Sequence, residues 1–143
     1  MSESTNAPSA GSRTPLPRPT KLSKPYWEAC RSGKLTVQQC QDCDTFVFIP
    51  QPCCGNCLSE NLEWVESCGR GTLYSFTTVY RPQQPEFEVP YTVVVVELEE
   101  GYFMLSNLVG VEPEDVEIGT PLEVFFEERS EEISLPLVRV RND

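Results

Sequence analysis

The chain has 143 residues, of which 39% are hydrophobic, and it carries a formal net charge of −11 at pH 7. This length fits one ordinary domain or two very small ones, and no apolar run is long enough to span a bilayer. The sequence contains no histidine, which excludes Ser-His-Asp and Cys-His catalysis and imidazole metal sites.

The first segment, residues 1–20, is predicted to be a disordered tail. It is rich in serine, threonine, asparagine and proline and has few apolar residues to bury. Because it lacks a basic stretch followed by an apolar run, it does not read as a secretory signal. A cytoplasmic location is therefore the expectation.

Residues 21–34 are predicted to contain one short helix from about Pro25 to Arg31. Ser23 can act as the N-cap, and Gly33 would end the helix. Tyr26, Trp27 and Cys30 fall on one side at helical spacing. This aromatic side is expected to pack either on the protein's own ribbon and barrel or on a partner surface.

Residues 35–66 are interpreted as a zinc ribbon, with proline and glycine in its turns. Its three short strands are predicted at Leu35–Gln39, Thr45–Ile49 and Leu62–Glu66. Five of the seven cysteines crowd into residues 40–57. In a chain without an export signal, closely spaced cysteine pairs favour metal binding over disulfides.

The predicted ligands are Cys40, Cys43, Cys54 and Cys57, in the spacing C-x2-C-x10-C-x2-C. Each pair lets one tight turn direct two thiolates at the same ion, and the hairpin between them completes a tetrahedral site. Four thiolates leave no open position for water or substrate, so one structural zinc ion is expected rather than a catalytic one.

Two alternatives remain open at this site. Cys53 could replace Cys54, although Cys54 gives the shorter knuckle. Iron also accepts four thiolates, but Asp44 and Leu58 stand where rubredoxin knuckles usually carry glycine, which favours zinc. The cysteines outside the set of four, Cys30, Cys53 and Cys68, are interpreted as small buried hydrophobic residues.

Residues 67–143 are predicted to form a five-stranded OB-fold, which makes the fold class mainly β. Its strands are predicted at Thr72–Tyr80, Tyr91–Leu98, Tyr102–Leu108, Leu122–Phe126 and Leu135–Val140. A single helical turn at Pro113–Val116 separates the third strand from the fourth, as in an OB barrel. The unalternating run Val93–Val96 indicates a strand that is covered on both faces, by the ribbon or by another subunit.

Several segments carry a resemblance to a known family. They are Pro25-Tyr26-Trp27-Glu28, Gln39–Cys57, Trp64-Val65-Glu66, Gly69–Thr77 and Leu105–Gly110. In this order they resemble acyl-CoA-associated proteins that join a rubredoxin-like zinc ribbon to an OB-fold, and the resemblance runs from about Ser23 to Val140.

The resemblance implies a small accessory subunit of a thiolase-superfamily enzyme, forming a hetero-oligomer with it. In such assemblies the thiolase-like subunit supplies the catalytic residues. The ribbon and OB protein packs over it, stabilises it and helps to shape the acyl-CoA entrance. The reaction served would be thiolysis, retro-aldol cleavage or acyl transfer, and this chain is expected to be non-catalytic by itself.

Candidate contacts to acyl-CoA or to the partner are Tyr26 and Trp27 on the helix and three residues of a proline-stiffened loop. Long ordered loops are often functional. Arg81 is the only basic residue between Arg70 and Arg129, so it is the candidate for a phosphate or a partner carboxylate. Phe87 and Tyr91 would wall the acyl channel. The alternative is an exposed loop whose aromatic side chains pack against the barrel.

Two other classes of function compete with this interpretation. Zinc ribbons and OB-folds also bind nucleic acid, but residues 35–143 contain only five of the eleven basic residues and twenty of the twenty-two acidic ones. That charge repels a phosphate backbone. A rubredoxin-like electron carrier is the other alternative, and the red colour of ferric tetrathiolate would identify it.

Overall fold

The computed structural model describes residues 14–142. Most of the predicted tail lies outside them, and residues 14–20 form neither helix nor strand. All the predicted strands are present within two residues of their predicted bounds. The elements are α1 (Lys24–Arg31), β1 (Thr36–Cys40), β2 (Phe46–Val47), β3 (Leu62–Glu66), β4 (Arg70–Val79), β5 (Tyr91–Leu98), β6 (Phe103–Leu108), a 3-10 turn (Pro113–Asp115), β7 (Pro121–Glu128) and β8 (Ser134–Val140).

Helix α1 begins and ends as the sequence predicts, but its start is not capped by a side chain. Ser23 occupies the N-cap position without a side-chain cap, because its Oγ instead accepts a hydrogen bond from the Thr20 backbone N–H at 2.9 Å. The capping prediction was therefore wrong. At the other end Gly33 adopts φ +79°, which glycine tolerates because it has no Cβ.

The ribbon sheet has the order β2-β1-β3, with all pairs antiparallel. Strand β2 is shorter than the predicted Thr45–Ile49. After Val47 the chain turns away from β1, and a side chain takes over the pairing. The Gln51 N–H donates to Gln38 Oε1 at 2.8 Å, and Gln38 Nε2 donates to the Gln51 carbonyl at 3.2 Å.

The second half is a closed barrel with the strand order β4-β5-β6-β8-β7, which confirms the predicted OB topology. Strands β6 and β8 are parallel and pair only at Leu108 and Val138. Along β5, Val94 and Val96 are fully buried inside the barrel, whereas Val93 and Val95 face outward and are half-buried.

One apolar core joins the helix, the ribbon and the barrel. Tyr26 of α1 and Val37 of β1 belong to the same buried cluster as the barrel residues. The ring centroids of Tyr26 and Phe48 are 5.7 Å apart, and those of Phe48 and Tyr102 are 5.6 Å apart. The helix therefore packs on the protein's own ribbon and barrel through Tyr26.

Gly71 gives a direct test of this barrel. A Cβ added to Gly71 would lie 2.2 Å from the Glu97 carbonyl oxygen, so Gly71→Ala forces β4 and β5 apart. We expect a destabilisation of about 1–3 kcal/mol or more, measured as a lower melting temperature by circular dichroism. Gly55→Ala is the control, because an added Cβ there meets nothing within 4 Å. Equal melting temperatures for the two variants would contradict the β4–β5 pairing.

Candidate functional site

Two turns of nearly identical geometry present the predicted ligands. The first follows β1, where the Asp44 N–H donates to the Cys40 carbonyl at 2.9 Å, and the second repeats this bond from Leu58 to Cys54 at 2.9 Å. Asp44 and Leu58 have φ values of 65° and 64°, the left-handed region that favours glycine. These are the two positions that the sequence singled out.

The four sulfur atoms of Cys40, Cys43, Cys54 and Cys57 lie within 4.8 Å of one another. Cys40 Sγ is 3.6 Å from Cys57 Sγ, and Cys43 Sγ is 3.6 Å from Cys54 Sγ. A tetrahedral zinc site with Zn–S bonds of about 2.3 Å requires sulfurs about 3.8 Å apart. The donor set thus fits one tetrahedral ion in both chemistry and spacing.

Cys53 does not belong to this group of sulfurs. The adjacent Cys54 is fully buried and points into the cluster, whereas Cys53 is half-exposed. Within the part of the chain that the structure describes, the turns therefore bring the two C-x2-C pairs together and leave Cys53 outside the sulfur cluster.

Polar neighbours act on the sulfurs in opposite ways. Thr45 Oγ1 lies 3.1 Å from Cys43 Sγ, and Asn56 Nδ2 lies 3.5 Å from it. Hydrogen bonds from these side chains, with Thr45 contributing most, lower the pKa of Cys43 to about 6. A backbone hydrogen bond with Ser59 lowers the pKa of Cys57, but hydrogen bonds among the neighbouring thiols outweigh it and raise the pKa to about 12. A divalent cation would remove this conflict, because it stabilises all the thiolates together.

The remaining cysteines differ in their surroundings. Cys30 is buried against Tyr26, and burial raises the pKa of its thiol to about 12. Cys68 is exposed, so the expectation that it would be buried was wrong. It precedes Gly69 at the entry to the barrel, and its Sγ lies 3.6 Å from Glu99 Oε1.

The two predicted contact residues on α1 line an apolar groove of about 420 Å³ between the helix, the ribbon and the barrel. Tyr26 is buried at its base, and Trp27 is half-buried. Their rings meet edge to face with centroids 5.1 Å apart. We call this feature the apolar groove.

The three predicted loop contacts lie elsewhere. Phe87 and Tyr91 stack on each other with ring centroids 6.1 Å apart, and the Tyr91 hydroxyl donates to Gln83 Oε1 at 2.9 Å. Arg81 is exposed. Tyr91 lines a second cavity, of about 760 Å³, that shares no lining residue with the apolar groove. The structure therefore does not bring the five predicted contacts into one site.

Sequence reasoning missed the residues on the open side of the apolar groove. Ile49 and Leu105 line it and are largely exposed. A signal was available in the run Phe103-Met104-Leu105. Three apolar residues in a row on a strand place apolar side chains on both faces, and only Met104 is needed inside the barrel.

Within residues 14–142, no helix has both the length and the apolar character needed to cross a membrane.

Comparison with known protein families places both halves of the chain. Residues 27–63 match the model of the ChsH2 rubredoxin-like zinc ribbon domain, and residues 64–127 match that of the ChsH2 C-terminal OB-fold domain. A solved structure, the Ltp2-ChsH2(DUF35) aldolase, contains a chain of similar fold. That match has a TM-score of 0.78 and 37% identity, covering 87% of this chain and 98% of the other.

Two curated relatives are enzyme subunits by name. A probable enoyl-CoA hydratase alpha subunit from Thermomonospora curvata is 39% identical over 86% of this chain. Benzoylsuccinyl-CoA thiolase subunit BbsA from Geobacter metallireducens is 29% identical over 76% of this chain and 66% of its own length. This chain spans only 39% of the length of the hydratase subunit.

Replacing one sulfur separates the possible ligand sets. We expect Cys54→Ser to lose stoichiometric zinc, measured by elemental analysis, and to lose ribbon structure, because the binding energy of a structural metal is also folding energy. Cys53→Ser is the matched control, because it replaces a sulfur with an oxygen at the adjacent residue. It should retain one zinc ion per chain. Retention of zinc by Cys54→Ser would contradict the assignment of Cys54.

Proposed function

This chain belongs to the ChsH2 family of zinc-ribbon and OB-fold proteins, and from that premise we propose that it is a non-catalytic accessory subunit of a thiolase-superfamily enzyme acting on acyl-CoA. The observation that carries the proposal is its match to nearly the full length of a chain in an aldolase structure. Thiolysis, retro-aldol cleavage and acyl transfer are the reactions that such a partner would perform. The partner would supply the reacting groups.

The chemistry of the described side chains supports a non-catalytic role. Burial raises the pKa of the Cys30 thiol to about 12, so this thiol stays protonated and is a poor nucleophile at neutral pH. Burial would raise the pKa of Glu100, but hydrogen bonds led by the Cys68 backbone N–H at 2.7 Å outweigh it and lower the pKa. Glu100 is therefore ionised at neutral pH and is a poor general acid.

We further propose that Cys40, Cys43, Cys54 and Cys57 hold one structural zinc ion. Their spacing and their chemistry fit a closed tetrathiolate site, which has no position for substrate. The ion would fix the two turns and, through them, the segment that leads to Phe48 and Ile49. Its contribution to function would be the shape of the ribbon and not a chemical step.

Recovery of a complex tests the accessory role. The full-length chain, tagged and expressed in its native host, is expected to co-purify with a thiolase-superfamily subunit in a fixed ratio, identified by mass spectrometry. The separated chain should show no thioester turnover, and recombination with the partner should restore the activity of the partner. Recovery as a lone monomer, or turnover of a thioester by the chain alone, would contradict the proposal.

We propose that the β4–β5 loop contributes to the acyl-CoA entrance through Arg81. The guanidinium is exposed and can therefore reach a phosphate oxygen or a partner carboxylate. The stacked rings of Phe87 and Tyr91 stiffen the same loop. The cavity beside the loop is lined by Glu112, Glu114 and Asp115 and would repel phosphate, so the contact would lie on the outer side of the loop.

Arg81→Ala in the reconstituted complex tests this contact. A charge-assisted hydrogen bond contributes about 1.5–3 kcal/mol, and less where it is exposed to solvent. We therefore expect the dissociation constant for free coenzyme A, measured by calorimetry, to be severalfold higher. Gln84→Ala in the same exposed loop is the control and should bind coenzyme A as the unmutated chain does. Equal affinity for the Arg81→Ala complex would remove Arg81 from the site.

A further inference from the structure

The apolar groove exists because two barrel strands separate. Strands β6 and β8 pair only at Leu108 and Val138, and a single side-chain bond, from Ser106 Oγ to the Pro136 carbonyl at 2.9 Å, links them further along. Helix α1 and the segment around Phe48 lie across this opening and line it together with both strands. The result is an open apolar depression on the outside of the protein.

Large apolar side chains project beside this groove instead of filling it. Ile49 is 67% exposed and Leu105 is 68% exposed, and both line the groove. Ile49 also lines a second depression of about 600 Å³, which we call the ribbon groove, and at its far side Leu58 is 74% exposed. Shared lining residues therefore connect Leu58, Ile49 and Leu105 across one surface.

The surface continues onto the outer face of the barrel. Phe103 precedes Leu105 by two residues on β6, and therefore points to the same side. The ring of Phe103 lies 4.8 Å from that of Tyr74 between centroids, and both are about half exposed. We define the apolar face as Leu58, Ile49, Leu105, Phe103 and Tyr74 together with the two grooves.

In the described part of the chain, the linings of both grooves lack charged side chains, although the chain as a whole is strongly acidic. Of the 143 residues, 22 are acidic, yet neither groove has an aspartate, glutamate, lysine or arginine in its lining, among the residues that the structure describes. Depletion of charged residues together with enrichment of large apolar ones distinguishes the centre of a protein interface from ordinary surface. Acidic residues lie instead at the Phe103 end of the face: Glu97 pairs with Phe103 across β5 and β6, and Glu100 lines a small depression together with Phe103.

The type of residue at position 58 provides a second observation. Its φ of +64° places a leucine in the left-handed region, where a side chain is unfavourable and glycine is preferred. The Leu58 side chain is also among the most exposed large apolar side chains described, so packing within the chain does not offset this strain. The cysteine turn sets this backbone angle at Asp44 and Leu58 alike, but it does not require a leucine. A large apolar side chain that is exposed at this strained position favours recognition by a partner.

We propose that the apolar face is the surface on which the thiolase-superfamily partner docks, and that the partner offers an apolar patch with a basic rim. This inference rests on the proposed function and adds which side of the chain makes the contact. The charge of the chain identifies the occupant: at −11, a second copy would be repelled, whereas a basic rim would be attracted to the acidic residues at the Phe103 end.

The test uses the full chain and the partner subunit recovered with it, each then produced separately and titrated by calorimetry. Ile49→Ser and Leu105→Ser are each expected to raise the dissociation constant at least about tenfold, because central apolar anchors dominate interface energies. Ile118→Ser is the matched control, since Ile118 is 62% exposed but lines neither groove. It should change the dissociation constant less than about twofold.

Leu58→Gly gives a readout that a purely structural role would not produce. Glycine adopts φ +64° without strain, so this variant should melt at a higher temperature than the unmutated chain and yet bind the partner more weakly. A higher melting temperature with unchanged affinity would exclude the turn at Leu58 from the docking surface, and would contradict the apolar face as we define it.

The remaining outcomes separate the inference from the proposed function. If the unmutated chain binds the partner and Ile49→Ser and Leu105→Ser bind equally well, the docking face is wrong and the accessory role stands. If the unmutated chain binds no thiolase-superfamily subunit, the accessory role and the inference both fail. A dimer of the chain alone that Leu105→Ser dissociates, seen by sedimentation, would assign the face to self-association and overturn the proposal.

Discussion

The end of the ribbon that carries the four sulfurs has little apolar core of its own, because Val37 and its neighbours pack instead into the core shared with the barrel. The buried cluster within it consists of Cys40, Val47 and Cys54, with Cys43 and Leu62 packed at its edge. So small an apolar cluster contributes little against the conformational entropy of ordering the two cysteine turns, and small domains of this kind commonly use metals for that purpose. The left-handed backbone at Asp44 and Leu58 belongs to the same arrangement, because it closes each turn that directs two thiolates inward.

Aromatic side chains connect the ribbon to the barrel. Phe46 and Phe48 flank Val47 in the chain, and the centroids of both rings lie within 6 Å of the ring centroid of Tyr102. Tyr26 of the helix contacts Phe48 from the other side. The ribbon thus fixes the position of Phe48, and Ile49 follows it directly in the chain. The proposed metal ion, by fixing the ribbon, would therefore also fix the shape of the apolar groove.

Much of this arrangement could be predicted because it follows from local rules. Alternation and turn residues located the strands, and cysteine spacing located the sulfur cluster. Apart from Ser23, whose capping is lost to a local bond with Thr20, the errors came where an interaction distant in sequence decided the outcome. Gln38 pairs with Gln51 where β2 ends. Cys68, just before β4, faces the carboxylates of Glu99 and Glu100, just after β5, at the same end of that strand pair. The course of the apolar face across three elements likewise required the tertiary structure.

The distribution of charge also constrains how a shared acyl-CoA site could be divided between this chain and a partner. Coenzyme A carries several phosphate charges, and the cavity beside the β4–β5 loop is lined by Glu112, Glu114 and Asp115. Arg81 is a single exposed cation in that neighbourhood, and one surface charge contributes little against such a background. Most of the phosphate contacts would therefore have to come from the partner, and this chain would contribute apolar surface and loop shape. That division agrees with the proposed accessory role, in which the partner supplies the reacting groups.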